Sequence, residues 1–132
     1  MPNLVGEPAP GFFVDLGHTA VTAGQTTNMI ASSQLLPGQT SPSWVFKNDV
    51  LQVKAGDKVN LSIANCTPAE HDFVSTSLTG NDKVIISVGQ TASVSFNAPA
   101  KAGTYFFWCN TISQPGQPSH AQRGMVGEVV VS

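Results

Sequence analysis

Apolar and polar positions alternate through much of the second half of the chain, with the period of two that belongs to strands. Val59, Leu61 and Ile63 alternate with polar residues. Such a period lays one face of an extended segment on a core and leaves the other in water. Trp44-Val-Phe and Val50-Leu-Gln-Val read as short strands, Lys54-Ala-Gly-Asp as a turn, and Phe73–Ser75 as an extended segment beyond a loop. Val84-Ile-Ile-Ser-Val, the Gly89-Gln90 connection and Ala92-Ser-Val-Ser-Phe together predict a hairpin. A turn cluster, Asn97-Ala-Pro-Ala-Lys-Ala-Gly, leads into Gly103-Thr-Tyr-Phe-Phe-Trp, which reads as a buried strand, as does Val126-Gly-Glu-Val-Val-Val. No stretch of a dozen residues carries a helical period. Residues 1–43 are less regular, with Pro2, Pro8, Pro10, Pro37 and Pro42. Apolar patches at Phe12-Phe13-Val14 and Met29-Ile30 predict one or two strands there, and Gln25–Gln34 a short helical turn. The whole predicts an all-β, antiparallel sandwich or barrel forming a single domain over 1–132. Residues 1–43 would be an N-terminal lead-in packed on it and residues 44–132 its core.

Composition narrows the setting. A chain of 132 residues can bury one substantial core. Apolar residues make up 41% and charged residues 11%, against about 25% charged in soluble domains generally. Polarity comes instead from Ser, Thr, Asn and Gln. The charge of such a surface changes little with pH, which suits an extracytoplasmic or acidic setting. A net charge of −2 supplies no basic footprint for nucleic acid and no strong steering of a partner. No apolar run approaches the roughly 18 residues of a membrane span. The first ten residues lack the charged and apolar regions of a signal peptide. We therefore expect an extracytoplasmic protein, periplasmic or on the outer face of the cell membrane, whose signal or membrane anchor has been removed, with Met1 as an expression start.

The candidate chemistry sits between the last two strands: Cys109, then His120, then Met125. A thiolate, an imidazole and a thioether are soft to borderline ligands of the kind copper prefers, and a loop between two strands can hold them rigidly. A fourth ligand would have to be His71 or His18. His71 is the better placed, because a well-defined strand precedes its loop. Two imidazoles and a thiolate with a long axial thioether make the geometry of blue-copper electron-transfer sites. Cys109 serves better as a ligand than in a disulfide, which leaves Cys66 as an unpaired thiol, expected to be a small buried hydrophobe. His18 reads as a surface histidine and Met29 as core.

Gly103-Thr-Tyr-Phe-Phe-Trp-Cys109 and His120-Ala-Gln-Arg-Gly-Met125-Val-Gly resemble the signature of the cupredoxins, the small type 1 blue copper proteins. The earlier passage Val50-Leu-Gln-Val-Lys-Ala-Gly-Asp-Lys-Val, with Asn65 and His71 after it, resembles that family's other block. The likeness covers roughly residues 44–132. It implies a Greek-key β-sandwich or barrel holding one type 1 copper ion, with His71, Cys109 and His120 as strong ligands and Met125 as the weak axial one. Two departures stand out. The Cys109–His120 loop is longer than in plastocyanin-like and azurin-like members, nearer in style to rusticyanin-like proteins and copper nitrite reductases and longer still. Asp72 follows His71 where many relatives place Asn or Ser to bond across to the cysteine loop, a contact that orients ligands and tunes the metal.

The resemblance implies a monomeric one-electron carrier, passing electrons between redox proteins such as a cytochrome or a terminal oxidase. His120 would bring one ring edge to the surface as the electron port, inside a small apolar patch of Pro115, Pro118, Ala121 and Val126. A copper oxidase or nitrite reductase domain is the enzymatic alternative. It is disfavoured because Cys109 is flanked by Trp108 and Asn110 rather than histidine, and because the chain has three histidines in all. A binuclear centre is disfavoured because Cys66 is far from Cys109 in sequence. A copper-delivery protein with a similar site is a further alternative.

Overall fold

Among the described residues, ten short strands form where β-branched and aromatic residues recur between turn residues. They run β1 (His18–Ala20), β2 (Thr26–Gln34), β3 (Ser43–Lys47), β4 (Val50–Val53), β5 (Lys58–Asn65), β6 (His71–Val74), β7 (Lys83–Ile86), β8 (Thr91–Asn97), β9 (Gly103–Trp108) and β10 (Val126–Val131). One 3-10 turn, Ala121–Arg123, lies between the last two. The computed structural model describes residues 14–80 and 82–132. The Phe12-Phe13 patch therefore lies outside the described residues.

Two sheets pack face to face. The first has strand order β1-β4-β10-β9-β6-β7 and the second β3-β2-β5-β8. Pairing is mixed rather than purely antiparallel: β1 with β4, β4 with β10, and β2 with β5 run parallel. These parallel pairs join strands distant in sequence, which local turn signals cannot register. Gln25–Gln34 forms no helical turn. It is taken up by β2, which pairs with β3 on one side and β5 on the other, and buries Met29 and Ala31 completely. The predicted hairpin is also corrected. β7 pairs with β6 in the first sheet, whereas β8 pairs with β5 in the second. The Ser87–Gln90 turn, closed by the Gln90 N–H donating to the Ser87 carbonyl at 3.0 Å, therefore arches from one sheet to the other.

Four aromatic rings tie the layers together. Phe107 stacks on Phe73 at 4.8 Å and meets Phe46 of the facing sheet at 5.5 Å, while Phe73 stacks on Phe96 at 6.5 Å. Gly127 makes room for this packing. A Cβ there would lie 2.2 Å from Phe107 Cζ and 2.6 Å from the Asp49 carbonyl oxygen.

The period of two then fixes what the strand ends present. Phe107 faces the core, so Cys109, two residues on, does too. By the same count Met125 shares the core face of Val129, and His71 that of Phe73. Phe106, Trp108 and Val126 face the other way and form a small separate cluster with Ala121 and Val74. Three strands that hydrogen-bond side by side thus deliver three candidate ligands, His71, Cys109 and Met125, to one end of the sandwich, where the β9–β10 loop brings His120.

Candidate metal centre

His71, Cys109 and His120 converge at that end, all three buried. Their facing atoms are mutually close. Cys109 Sγ lies 3.8 Å from His71 Nδ1 and 3.5 Å from His120 Nδ1, and the two nitrogens are 3.1 Å apart. Bonds from nitrogen or sulfur to a transition ion are about 2.0–2.3 Å, so donors at these separations can share one small ion. Two imidazoles and a thiol are moreover a borderline-to-soft donor set, which suits copper. The residues present fit a mononuclear copper site.

The backbone sets this convergence. Cys109 donates its N–H to the Met125 carbonyl at 3.0 Å, and its own carbonyl accepts from Ala121 at 2.8 Å. Met125 donates back to the His120 carbonyl at 2.9 Å, and His120 donates to Thr111 at 2.8 Å. The loop is thereby closed on itself, and Met125, fully buried, is brought beside Cys109. Gly124, at φ +116°, makes the left-handed turn that lets the chain leave the 3-10 turn and enter β10.

Each imidazole presents Nδ1 to the sulfur and turns Nε2 outward onto a hydroxyl at 2.7 Å: Thr67 Oγ1 for His71 and Ser113 Oγ for His120. With Nδ1 facing the metal position, Nε2 carries the proton and donates. Trp44 covers both rings, at 5.6 Å from His71 and 6.4 Å from His120.

Residues 21–132 match a family described as "Copper binding proteins, plastocyanin/azurin family". The chain belongs to that family. Similar solved structures include the McoA multicopper oxidase of Aquifex aeolicus, 17% identical over 91% of this chain and 29% of the oxidase, with a TM-score of 0.68. Copper nitrite reductase from Nitrosomonas europaea is 23% identical over 82% of this chain and 42% of the reductase, with a TM-score of 0.63. Auracyanin A, described as a "blue" copper protein of Chloroflexus aurantiacus, is 22% identical over 82% of this chain and 98% of its own length, with a TM-score of 0.58. At such identities the likeness is one of fold. The chain spans under half the length of either enzyme. A search of curated protein sequences finds no match.

For a copper-binding family member the electrostatics are suitable. Burial, with His120 alongside, holds His71 down to about 4, and burial also lowers His120. Both rings are therefore neutral at neutral pH, the form in which imidazole can bind a metal. Burial, with the Asp72 charge adding to it, pushes the Cys109 thiol up to about 12. A copper ion held by this thiol would reverse the shift, because a coordinated thiol is deprotonated outright.

Asp72 makes the cross-loop bond despite its charge. Its Oδ1 accepts the Asn110 N–H at 2.6 Å, and its own N–H donates to Cys109 Sγ at 3.4 Å. Burial raises its pKa, while the Asn110 bond and, more weakly, Lys83 at 4.0 Å favour the carboxylate.

Other expectations need correcting. His120 does not offer an exposed ring edge. It is 2% exposed, with Trp44 against its ring and Ser113 of the long loop at its Nε2. The supposed apolar patch is divided, with Ala121 and Val126 buried and Pro115 and Pro118 exposed. Cys66 is an exposed free thiol rather than a buried one, since its position after β5 turns it out of the sandwich. His18 is a surface residue, 2.8 Å from Asp15, and lies outside the ligand group.

Thr67, Ser113 and Trp44 carry no site role in the sequence reading, and Asn65 enters it only within the block that resembles the family. Asn65 is buried and fully bonded. It donates to Ala69 and Ile86 carbonyls at 2.8 and 3.0 Å and accepts from the Thr67 N–H and hydroxyl at 3.0 and 2.8 Å. The run Asn65-Cys-Thr-Pro carries the Asx-turn signal that could have revealed this pair. No comparable signal marks Ser113.

Proposed function

We propose that the protein is a mononuclear type 1 copper protein acting as a one-electron carrier between redox proteins, with Met125 as the weak axial ligand. The observation that carries this reading is the buried convergence of His71 Nδ1, Cys109 Sγ and His120 Nδ1 within 4.8 Å of one another. Met125 is buried beside them, joined through the backbone to both Cys109 and His120.

Bound copper supplies one-electron chemistry by cycling between its two oxidation states. The chain's part is to hold donors that differ little in position between those states. Cys109 is fixed by β9 and by the Met125 carbonyl, His71 by β6 and Thr67, and His120 by Thr111 and Ser113. Trp44 covers both imidazoles, and Cys109 and Met125 belong to the buried core that holds Phe73 and Phe107. Such preorganisation lowers the rearrangement that accompanies electron transfer.

The histidine count favours a carrier over a multicopper enzyme. Of three histidines, two are engaged here and His18 is on the surface, while Trp108 and Asn110 flank Cys109. The likeness to auracyanin A, whose length the chain almost fully spans, supports the same reading. Partners would be a cytochrome or a terminal oxidase, met in a small, brief contact, outside the cytoplasm and with the carrier as a monomer.

Copper titration followed by visible absorption tests the proposal. We expect one copper per chain, an intense thiolate-to-copper band, and its reversible bleaching by one electron. Full loading with only weak copper(II) colour would overturn the site. Rapid loss of copper to an acceptor without electron exchange would replace the carrier with a delivery protein.

A further inference from the structure

The extended stretch between Cys109 and His120 has no role in donating ligands, yet it contributes a polar contact to one of them. We propose that Ser113 is the positioning residue of His120: its hydroxyl holds the outward ring nitrogen and seals the ring edge that would otherwise meet solvent. The inference rests on His120 being a ligand and adds what governs its orientation and accessibility.

Four observations lead to it. First, Ser113 Oγ is 2.7 Å from His120 Nε2, the nitrogen opposite the one that faces Cys109. Second, the ring is 2% exposed although residues 112–118 around it are all exposed. Third, the backbone of His120 is held independently of Ser113. Its N–H donates to Thr111, its carbonyl accepts from Arg123 and Met125, and the neighbouring Ser119 and Gln122 exchange hydrogen bonds at 2.9 and 3.2 Å. With the main chain fixed, the remaining freedom is rotation of the ring, which the Ser113 contact removes. Fourth, a cleft of about 240 Å³ opens beside the contact, lined by Pro42, Ser43, Trp44, Ser113, His120 and Arg123. Solvent can therefore approach the Ser113–His120 contact from the cleft. Removing that hydroxyl leaves the cleft continuous with Nε2.

The chemistry follows from the two ring nitrogens being distinct. A donor bond from Nε2–H fixes the tautomer that leaves Nδ1 free to bind metal, and makes the ring a better ligand. Thr67 does the same for His71. The His71 nitrogen therefore serves as an internal reference within the same molecule.

Proton exchange of the two Nε2–H groups, followed by NMR in the diamagnetic copper(I) protein and again in the copper-free protein, tests the proposal. In Ser113→Ala we expect exchange at His120 to speed up by about tenfold, because water from the cleft then meets an Nε2–H that the hydroxyl had protected, with His71 unchanged. Ser113→Thr, which keeps a hydroxyl, should restore slow exchange. Unchanged exchange at His120 in Ser113→Ala, or equal acceleration at both rings, would overturn the proposal. Because the hydroxyl contact exists without metal, the copper-free measurement decides it even if the chain fails to load copper. That failure would count against the proposed function alone.

Discussion

His71 and His120 present the same nitrogen to the same sulfur and rest on hydroxyls at the same 2.7 Å, yet the two arms of the site are built differently. The His71 arm starts on a strand. Its hydroxyl, Thr67, is buried, and Asn65 pins it while also reaching across to the Ile86 carbonyl of the other sheet. The His120 arm is a loop. Its hydroxyl is on an exposed residue, and the arm joins the frame through Thr111, the Cys109 carbonyl, Met125 and the start of β10. One arm is part of the sandwich and the other is laid over its end. The same ligand geometry can therefore be held by burial on one side and by loop closure on the other.

Cys109 is where the arms meet, so its substitution has the largest expected effect. Cys109→Ser should abolish the visible band and reduce copper affinity sharply, because both histidines lose the donor they face. Cys66→Ser removes a thiol that is exposed and one residue from Thr67, and should leave the band intact. Absorption spectra of the two loaded variants check the pair. A retained band in Cys109→Ser, or a lost one in Cys66→Ser, would mean the thiols have been misassigned.

The next prediction concerns the footing of the loop arm. β10 returns from the loop into the first sheet, and its Glu128 N–H donates to the Asp49 carbonyl at 2.7 Å. The Asp49 side chain is 1% exposed and accepts the Leu16 N–H at 2.9 Å. Burial lifts its pKa from 3.8 to about 7; the Leu16 bond opposes this, and Asp15 and Glu128 add to it, with His18 nearby acting on Glu128 in the other direction. The folded chain thus keeps a proton that the unfolded chain loses near pH 4. This contribution to stability is fully present below that pH and is lost as pH rises through about 7, by up to about 4 kcal/mol. Asp72 and Glu128, also raised by burial, act in the same direction, whereas His71, held down to about 4, and His120 act in the opposite one below 6.5. The Asp49 share is therefore read as the unfolding midpoint of the copper-free protein minus that of Asp49→Asn, which should fall from pH 4 to 6 to 8. A difference that rises with pH would refute this.

The strand arm is broken most effectively at Asn65. Asn65→Ala strands the Ile86 carbonyl and unfastens Thr67, at a cost of about 3 kcal/mol from buried groups left unpaired. Denaturant unfolding measures it, and a loss below about 1 kcal/mol would show that the network is dispensable.

The contrast also explains what could be seen in the sequence. Where a candidate ligand continues a strand's alternation, as Cys109 follows Phe107 and Met125 precedes Gly127 and Val129, its facing is written into the local pattern. The strands β3, β4, β5, β9 and β10 were legible for the same reason. What escaped was long-range. The parallel partners of β2 and β4 are distant in sequence, and the β7–β8 turn has the residues of a hairpin but bridges two sheets. Exposure of His120 failed as an inference because nothing local marks Ser113 as the residue that folds back onto it. Cys66 failed for a related reason: the Asn65–Thr67 turn directs it outward, and that turn forms through side-chain bonds rather than apolar pattern.

The smallest effects separate the two hydroxyls themselves. Thr67→Val keeps the shape of the side chain but removes an oxygen that bonds His71 and accepts from Ala69 while donating toward Asn65 or Ala69. In a buried setting this should cost about 1–2 kcal/mol of stability. Ser113→Ala removes an oxygen from an exposed residue, and water entering the adjacent cleft can take over its bond. Its cost should stay within about 0.5 kcal/mol, as for surface substitutions generally. Unfolding curves of the two copper-free variants make the comparison. Equal losses would mean that the loop arm is as deeply built into the sandwich as the strand arm. A larger loss at Thr67 would show that two identical contacts differ because one is buried and the other open to replacement by water.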